Sequence, residues 1–269
     1  AAGVQLIFGI PGLKVHSKIC IIEREGEKKK LRYGFVSTGN FNESTAKIYT
    51  DYTLFTADQQ ILKEVNKVFN FLEVSYKLKK YKHLIVSPHY SASILKKLID
   101  KEIENHSNGL PSGISLKINN ITNYPLVDKL YQASQAGVKI KMIVRGICCL
   151  VPGIKGLSEN IQVISVVDKF LEHPRVYIFE NGGDRKIYLS SADLMTRNIE
   201  NRVEVACPIY DKDLQKEILD TFNISWNDNV KARIVNKQPQ NKMVKPPARA
   251  PEQRSQWTTY AYYENKLIQ

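Results

Sequence analysis

Two stretches of the sequence share one pattern, HSKICII at residues 16–22 and HPRVYIF at residues 173–179. Each begins with a histidine, a spacer and a basic residue, and each continues as an apolar run typical of a strand. Side chains alternate between the two faces of a strand, so the histidine and the basic residue two positions later share one face. The pattern therefore predicts that an imidazole and a cation point into one pocket in each stretch.

Both stretches lie inside a longer internal repeat. Its matched features are the Ala-Gly-Val turns at 2–4 and 136–138, the two His-x-basic tripeptides, the small polar turns Ser37-Thr38-Gly39-Asn40 and Ser190-Ser191-Ala192-Asp193, and the closing strands at 52–56 and 202–206. The closing strands end at Asp58 and Asp211. Four features in the same order predict a duplicated domain.

Hydrophobic periodicity predicts an α/β fold with two tandem domains, whose mixed or mostly parallel sheets are flanked by helices. In the second copy we predict strands at 83–86 and 114–119 and helices at 94–104 and 125–135. A long amphipathic helix over 59–76 ends the first copy. The predicted domains are 1–80, 81–230 and a basic, Pro-containing C-terminal tail over 231–269. The first copy has no counterpart to the two strand–helix units of the second, so we expect its domain to be truncated at the N-terminus and the chain to be a fragment.

Composition and charge narrow the class of protein. The chain has 269 residues, 43% of them hydrophobic, and a net charge of +12, which excludes a disordered or collagen-like chain. Half of the excess charge lies in residues 231–269, which we interpret as an irregular, solvated tail before a Tyr-rich segment at 257–263. The remaining charge favours a polyanionic partner only if it converges on one cleft.

Cysteines and apolar runs bear on the cellular compartment. The four cysteines lack the spacing of a disulfide framework or a zinc site, and no apolar run approaches the roughly 20 residues of a membrane helix. We therefore expect reduced thiols in a soluble, cytoplasmic protein.

Paired His-x-basic sites suit phosphoryl transfer. Imidazole is a nucleophile near neutral pH, and a fixed cation stabilises phosphate oxygens as their charge shifts. A second histidine from the other copy would supply a general acid or base on the opposite side of the phosphorus. Structural alternatives stay open: His173 before Pro174 could end a loop, and Asn40 and Asp193 could be ordinary turn residues.

The paired pattern resembles the signature of the phospholipase D superfamily, and the actual strings resemble one branch of it, bacterial polyphosphate kinase. The strings that carry the resemblance are GLKVHSK at 12–18, STGNFNE at 37–43, YTD at 49–51, VRGIC at 144–148, EHPR at 172–175, FENGG at 179–183, SSAD at 190–193 and NVKAR at 229–233.

The resemblance implies reversible transfer of the ATP γ-phosphate to inorganic polyphosphate through a phosphohistidine, with Mg²⁺ carried on substrate oxygens and no metal-ligating residue in the chain. His16 matches the phosphorylated histidine and His173 the second active-site histidine. Tyr49 and Arg145, together with His173, match positions that contact the nucleotide or its phosphates. The motif geometry adds Lys18, Asn40 and Arg175 as substrate-binding residues, with Arg175 in place of the superfamily's second lysine.

The resemblance also sets the expected partners, which are ATP, ADP and polyphosphate, with homo-oligomers in the full-length enzyme. No nucleic-acid partner is expected, and peripheral association with membranes stays open. We expect the fragment to be inactive by itself. Two other functions remain: a phosphodiesterase of the phospholipase D type, and a non-catalytic module that binds polyanions. Among single residues, Tyr49 could be a core aromatic and Arg145 a surface or ion-pair residue.

Overall fold

A computed structural model of the protein describes residues 3–26, 30–74, 80–238, 241–245 and 251–268. Its strands form mixed sheets with helices packed against them, so the predicted α/β class is confirmed. The strands are β1 (Lys14–Val15), β2 (Lys18–Arg24), β3 (Leu31–Ser37), β4 (Tyr49–Thr50), β5 (Thr53–Thr56), β6 (Ile85–Ser87), β7 (Ile114–Ile118), β8 (Ile140–Val144), β9 (Ile161–Val166), β10 (Leu171–Glu172), β11 (Arg175–Phe179), β12 (Lys186–Ser190), β13 (Arg202–Ile209) and β14 (Ala232–Val235). The helices are α1 (Glu43–Ala46), α2 (Gln59–Glu73), α3 (Ser91–Ser107), α4 (Tyr124–Gln135), α5 (Thr196–Glu200), α6 (Lys212–Trp226) and α7 (Ser255–Ile268).

The largest sheet joins both copies of the repeat. Its strand order is β1-β13-β12-β11-β7-β8-β9-β14, and β6 also pairs with β13. β7, β8 and β9 run parallel, whereas β11, β12 and β13 are antiparallel neighbours. β1 belongs to the first copy and pairs in parallel with β13 of the second, with Lys14 opposite Arg202 and Val15 opposite Val203. Because β1 directly precedes His16, the first histidine stretch begins beside a strand of the second copy.

Two smaller sheets complete the arrangement. β2, β3 and β5 form an antiparallel sheet within the first copy. β4 of the first copy pairs in parallel with β10 of the second, with Leu171 opposite Tyr49 and Glu172 opposite Thr50. Since β10 directly precedes His173, this pairing brings the second histidine stretch against the first copy.

Apolar packing also connects the copies. Strands β8 and β11 pack on α3 and α4 through one face of the large sheet and on α6 through the other, and β7 joins them on the α3 and α4 face. A third cluster combines Val36 and Val65 of the first copy with Val203 and Val205 of the second. Burying such side chains provides the main stabilisation of a fold, so the copies share a core.

The long helix after each closing strand begins at the same kind of N-cap. The Asp58 carboxylate accepts the N–H groups of Gln60 and Ile61 at the start of α2, at 2.8 and 3.0 Å. The Asp211 carboxylate does the same at the start of α6, at 2.9 and 3.0 Å. Aspartate is a strongly preferred N-cap because it satisfies backbone donors that the helix leaves free. The two copies of the repeat therefore align at these two aspartates.

Residues 4–8 have an apolar, strand-like pattern, but they form no strand among the described residues. Residues 3–9 have no regular secondary structure, and the side chains of Val4, Leu6 and Phe8 are exposed, Phe8 to 97%. In the second copy the corresponding strand, β8, lies between β7 and β9. An apolar stretch forms a strand only when a neighbour pairs with its backbone, and the described part of the chain supplies none beside residues 4–8.

The interpretation of residues 231–269 as a solvated tail is wrong for two parts of it. β14 extends the large sheet by pairing with β9, and α7 packs against α6. Buried Asp228 connects them, because its carboxylate accepts the N–H of Ala232 at 3.0 Å and that of Ser255 at 2.7 Å. Composition alone did not reveal this anchor.

Other sequence predictions end differently. The helix expected over 59–76 ends at Glu73, and residues 75 and 76 lie outside the described residues. The domain divisions at 80 and 230 stay predictions. No helix in the described part of the chain combines the length and apolar character needed to cross a bilayer.

Candidate active site

His16 is positioned by a strand of the second copy. Its backbone N–H and that of Ser17 donate to the carbonyl oxygen of Val203, at 3.0 and 2.9 Å, where β1 ends beside β13. The next residue of β13, Glu204, places both carboxylate oxygens 2.9 Å from Nδ1 of His16. The side chain of Glu204 is 1% exposed, against 21% for His16. A buried carboxylate therefore orients the ring of a histidine that remains accessible.

Glu204 is itself fixed by two further donors. Ser191 Oγ donates to one of its oxygens at 2.5 Å, and Asn198 Nδ2 donates to the other at 2.6 Å. Burying a carboxylate is costly unless its oxygens are hydrogen-bonded. These contacts meet that requirement and hold the carboxylate in place for the His16 ring.

His173 has the reciprocal arrangement. Its Nδ1 lies 2.9 and 3.1 Å from the two carboxylate oxygens of Asp51, a residue of the first copy. Thr38 Oγ1 also donates to Asp51, at 2.6 Å. The backbone at Gly39 passes so close that a Cβ there would lie 1.8 Å from Oδ2 of Asp51. The absence of a side chain at residue 39 thus makes room for the carboxylate.

Arg175 connects His173 to both copies. Its Nη1 donates to Nε2 of His173 at 2.9 Å and to the Thr38 carbonyl oxygen at 3.3 Å. Its Nε and Nη2 face the two oxygens of Asp193, each at 3.3 Å. Burial opposes the ionisation of Asp193, but Arg175, the backbone N–H of Asn119 and the side-chain amide of Asn120 outweigh it and lower the pKa of that carboxyl. Arg175 is 4% exposed and forms the buried centre of the site.

Lys18 adds a second cation. Its ammonium donates to the carbonyl oxygen of His16. Burial removes water from this ammonium and lowers its pKa to about 8; Glu204 opposes the shift and the positive charge of Arg175 adds to it. The same lysine is attracted by Asp51. Lys18 therefore lies within electrostatic range of the partners of both histidines.

Tyr49 and Arg145 border the His173 side of the cluster. The Tyr49 ring centroid lies 4.9 Å from that of His173, because β4 and β10 are paired. Arg145 follows β8 and donates from Nε to Asn119 Oδ1 at 2.9 Å. Burial lowers the pKa of Arg145. The Nδ2 group of Asn119 donates to the His173 carbonyl oxygen at 3.3 Å, so Asn119 joins Arg145 to His173.

The structure thus gathers six of the seven predicted site residues: His16, Lys18, Tyr49, Arg145, His173 and Arg175. Asn40 is exposed, and within the described residues its side chain makes no hydrogen bond, so it does not join the cluster. Its role in substrate binding stays a prediction. Its counterpart in the second copy, Asp193, is the residue that pairs with Arg175.

Sequence reasoning assigned no role to Asp51 and Glu204. Each stands seven residues before the aspartate that caps the following long helix, Asp58 for Asp51 and Asp211 for Glu204. Aligning the copies on these caps would have shown a carboxylate at the same position in both. The spacing from histidine to carboxylate is four residues longer in the first copy, because β2 and β3 have seven residues each whereas β11 and β12 have five.

Hydrogen bonding at Nδ1 determines which nitrogen can react. A carboxylate accepts only, so the neutral form of each ring that satisfies these contacts carries its proton on Nδ1. Nε2 of His16 then keeps a free electron pair and can attack an electrophile. Nε2 of His173 accepts from Arg175 in this state. The pair can supply a nucleophile and a proton-accepting group beside three cations, Lys18, Arg145 and Arg175.

Fold and site together define a duplicated α/β protein with one two-histidine site at the junction of its copies. The chain belongs to the polyphosphate kinase family. Two family models match it, described as polyphosphate kinase C-terminal domain 1 over residues 1–78 and polyphosphate kinase C-terminal domain 2 over residues 84–256. The resemblance to bacterial polyphosphate kinase is therefore confirmed.

Individual relatives agree. The polyphosphate kinase of Escherichia coli strain K12 is 50% identical over 264 residues, which are 98% of this chain and 38% of that protein. The enzyme of Vibrio parahaemolyticus is 51% identical over the same length. The crystal structure of polyphosphate kinase from Porphyromonas gingivalis matches with a TM-score of 0.90 at 39% identity, over 95% of this chain and 40% of that one. The chain spans about two fifths of the length of these curated relatives.

Proposed function

We propose that the protein transfers the γ-phosphate of ATP reversibly to the end of a polyphosphate chain through a phosphohistidine at His16. The names of its relatives support the substrates. The observation that supports the mechanism is the contact between Nδ1 of His16 and buried Glu204, which leaves Nε2 free.

The first step needs no external base. Nε2 of His16 attacks the γ-phosphorus, the N–P bond forms, the bond from phosphorus to the β,γ-bridging oxygen breaks, and ADP leaves with the electron pair. The ring then carries positive charge, with its proton on Nδ1 facing the Glu204 carboxylate. A carboxylate that orients a histidine also stabilises the cation that forms. In the second step a terminal polyphosphate oxygen attacks the phosphorus and His16 leaves as neutral imidazole.

His173 and the cations act on the phosphate oxygens. Phosphoryl transfer gains most from positioning and from charge stabilisation, since the protein has little covalent chemistry to perform. Arg175 is buried and Lys18 half-buried near the two histidines, so both lose little solvation when phosphate replaces their present partners. We propose that His173 contacts the oxygen that leaves or enters opposite His16, and that Tyr49 and Arg145 bind the nucleotide on the same side.

Mg²⁺ enters this proposal as part of the nucleotide substrate. Within the described residues no group of three or more His, Cys, Asp or Glu side chains could hold a metal ion. The carboxylates nearest the histidines, Asp51, Asp193 and Glu204, are already occupied by imidazole, guanidinium or hydroxyl donors. Mg²⁺ commonly binds substrate phosphates with few protein ligands, so MgATP is the form we expect to bind.

Labelling of the complete gene product tests the proposal. Wild type and His16→Ala are incubated with γ-labelled ATP and Mg²⁺, and the acid stability of protein-bound label is measured. The matched control is His83→Ala, because His83 is half-buried and its ring is hydrogen-bonded to the Tyr210 hydroxyl away from the site. Acid-labile label in wild type and His83→Ala, absent from His16→Ala, is the expected result. Equal labelling in all three would overturn His16 as the nucleophile. No label, with cleavage of diester substrates, would support a phosphodiesterase instead.

A further inference from the structure

Strand β10, which carries the chain to His173, has only two residues and, in the described part of the chain, one strand neighbour. Leu171 and Glu172 pair with β4. A ladder this short provides few hydrogen bonds, and the site needs His173 held against Asp51. The contacts on the other edge of β10 therefore bear on the position of the histidine.

Those contacts come from the start of the C-terminal helix. The Gln256 side chain accepts the Phe170 N–H on Oε1 at 3.0 Å and donates from Nε2 to the Phe170 carbonyl oxygen at 2.8 Å. Nε2 also donates to Glu172 Oε1 at 2.8 Å. One side-chain amide thus pairs with a backbone N–H and C=O as a neighbouring strand would. Gln256 is 8% exposed, so water competes little for these bonds.

Two neighbours of Gln256 hold the same segment. Arg254 donates to both oxygens of Asp168, at 2.8 and 2.5 Å. The Trp257 ring lies 5.4 Å from the Lys169 ammonium. We call Arg254, Gln256 and Trp257 the C-terminal clasp. The clasp is anchored in turn where Ser255 N–H donates to Asp228.

A cavity beside β10 makes the position of this strand depend on the Gln256 hydrogen bonds. A cavity of about 310 Å³ is lined by Asp51, Glu172, Pro174, Gln256 and residues of α7. Packing is therefore incomplete next to β10 and next to the carboxylate that binds His173. Without Gln256 the segment has room to move toward the cavity.

We propose that Gln256 is a positioning residue for His173, acting through β10, so that the C-terminal helix completes the active site. This inference rests on the proposed function, because it assigns His173 a part in phosphoryl transfer. Displacement of a reacting group by about 1 Å can cost on the order of a hundredfold in rate. Loss of the amide should therefore slow transfer without removing the nucleophile, since His16 is held separately by Glu204.

The test uses the complete gene product and Gln256→Met, which keeps length and volume but has no amide. Gln253→Met is the matched control, because Gln253 lies in the same segment but its side chain donates to the Ile224 carbonyl oxygen instead of β10. Its backbone N–H donates to Asn229 Oδ1 and is unaffected by the substitution. Both the turnover rate and the final amount of acid-labile label per protein are measured. We expect Gln256→Met to lower kcat by roughly tenfold or more with full final labelling, and Gln253→Met to change neither.

Each other outcome has a defined meaning. Label and kcat that fall together would show that the variant has lost its fold, and the second variant then decides. If Gln256→Met folds poorly, Gln256→Glu is measured in its place. This variant keeps the acceptor for the Phe170 N–H but faces Glu172 with a like charge. Unchanged kcat in a folded variant overturns the inference alone. An unlabelled wild type would overturn the proposed function, and the inference with it.

Discussion

Asp51 and Glu204 occupy equivalent positions in the two copies of the repeat, and each binds the histidine of the other copy. Glu204 lies 2.9 Å from Nδ1 of His16, and Asp51 lies 2.9 Å from Nδ1 of His173. Neither copy therefore holds a complete histidine–carboxylate pair by itself. The shared core and the β1–β13 pairing are what bring the two pairs together.

Because Asp51 binds the histidine of the other copy, we predict that Asp51→Asn slows the reaction with little change in folding. An asparagine keeps the shape and can still accept from Thr38, but it no longer presents two anionic oxygens to His173. Replacement of a carboxylate that orients a catalytic histidine costs about 10²–10⁴-fold in rate. Polyphosphate synthesis by purified protein, followed at saturating MgATP, would measure the loss.

Asp58→Asn is the control for that substitution. It lies seven residues further along the chain and caps α2, a task that asparagine performs about as well. We expect it to keep full activity. Equal activity of Asp51→Asn and wild type would contradict the orienting role of the carboxylate.

Gly39→Ala tests the space beneath Asp51. A Cβ would lie 1.8 Å from Oδ2 and 2.1 Å from Cγ of Asp51, so the carboxylate must move away from His173. The moving group is the end of a side chain, so we expect a small loss of stability and a loss of activity of tenfold or more. The repeat supplies the control: the equivalent residue is Ala192, and Ala192→Gly should leave activity within about twofold while costing about 0.5–1 kcal/mol of stability. A fully active Gly39→Ala would show that the close approach has no functional consequence.

Much of the fold could be predicted because its determinants are local. The apolar runs after His16 and His173 became β2 and β11, and the periodicity over 94–104 and 125–135 lies within α3 and α4. The two glycines after Asn181 are typical of a hairpin turn, and this segment joins β11 to β12. In each case the signal and the structure span the same few residues.

The remaining features depend on partners far away in sequence. Residues 4–8 have a strand-like pattern but no strand beside them among the described residues. The start of α7 is held in place by contacts with Asp228 and Asp168, and the composition of the C-terminal segment does not show these contacts. The roles of Asp51 and Glu204 required alignment of the two copies on their helix caps rather than on their histidines.

The buried ion pair behind β10 predicts a stability effect. Lys117 Nζ lies 2.7 Å from Glu172 Oε2, and both side chains are less than 10% exposed. Burial opposes the charge on both groups, yet their mutual attraction lowers the pKa of Glu172 and raises that of Lys117. Glu172→Gln leaves the ammonium buried and unpaired, which should cost about 3–5 kcal/mol of the free energy of unfolding. Chemical denaturation would measure it.

Removing both charges should recover most of that loss. Lys117→Met combined with Glu172→Gln keeps the contact with Gln256 and leaves no charge unpaired. Because the folded-state pKa of Glu172 is below its ordinary value of 4.5, its stabilisation is present above that pH and is lost as the pH falls further. A double variant as unstable as Glu172→Gln would show that the ion pair is not the cause.

Lys18 predicts the alkaline limit of activity. Its pKa is lowered to about 8, first by burial and further by the charge of Arg175. The profile of kcat/KM against pH reports groups of the free enzyme, so kcat/KM for MgATP should fall as the pH rises through about 8. Bound phosphate oxygens would raise this pKa, and kcat should therefore persist to higher pH.

Lys18→Arg should remove this alkaline limb, the fall of kcat/KM above about pH 8, because a guanidinium stays protonated at these pH values. Lys14→Arg, at an exposed position on β1, is the matched control and should keep it. Unfolding cannot produce the limb through Lys18. Its folded-state pKa is below the ordinary 10.5, so the unfolded chain binds more protons between about pH 8 and 10.5 and this lysine's contribution to stability rises with pH. An unchanged limb in Lys18→Arg would assign it to another group and leave Lys18 a purely structural cation.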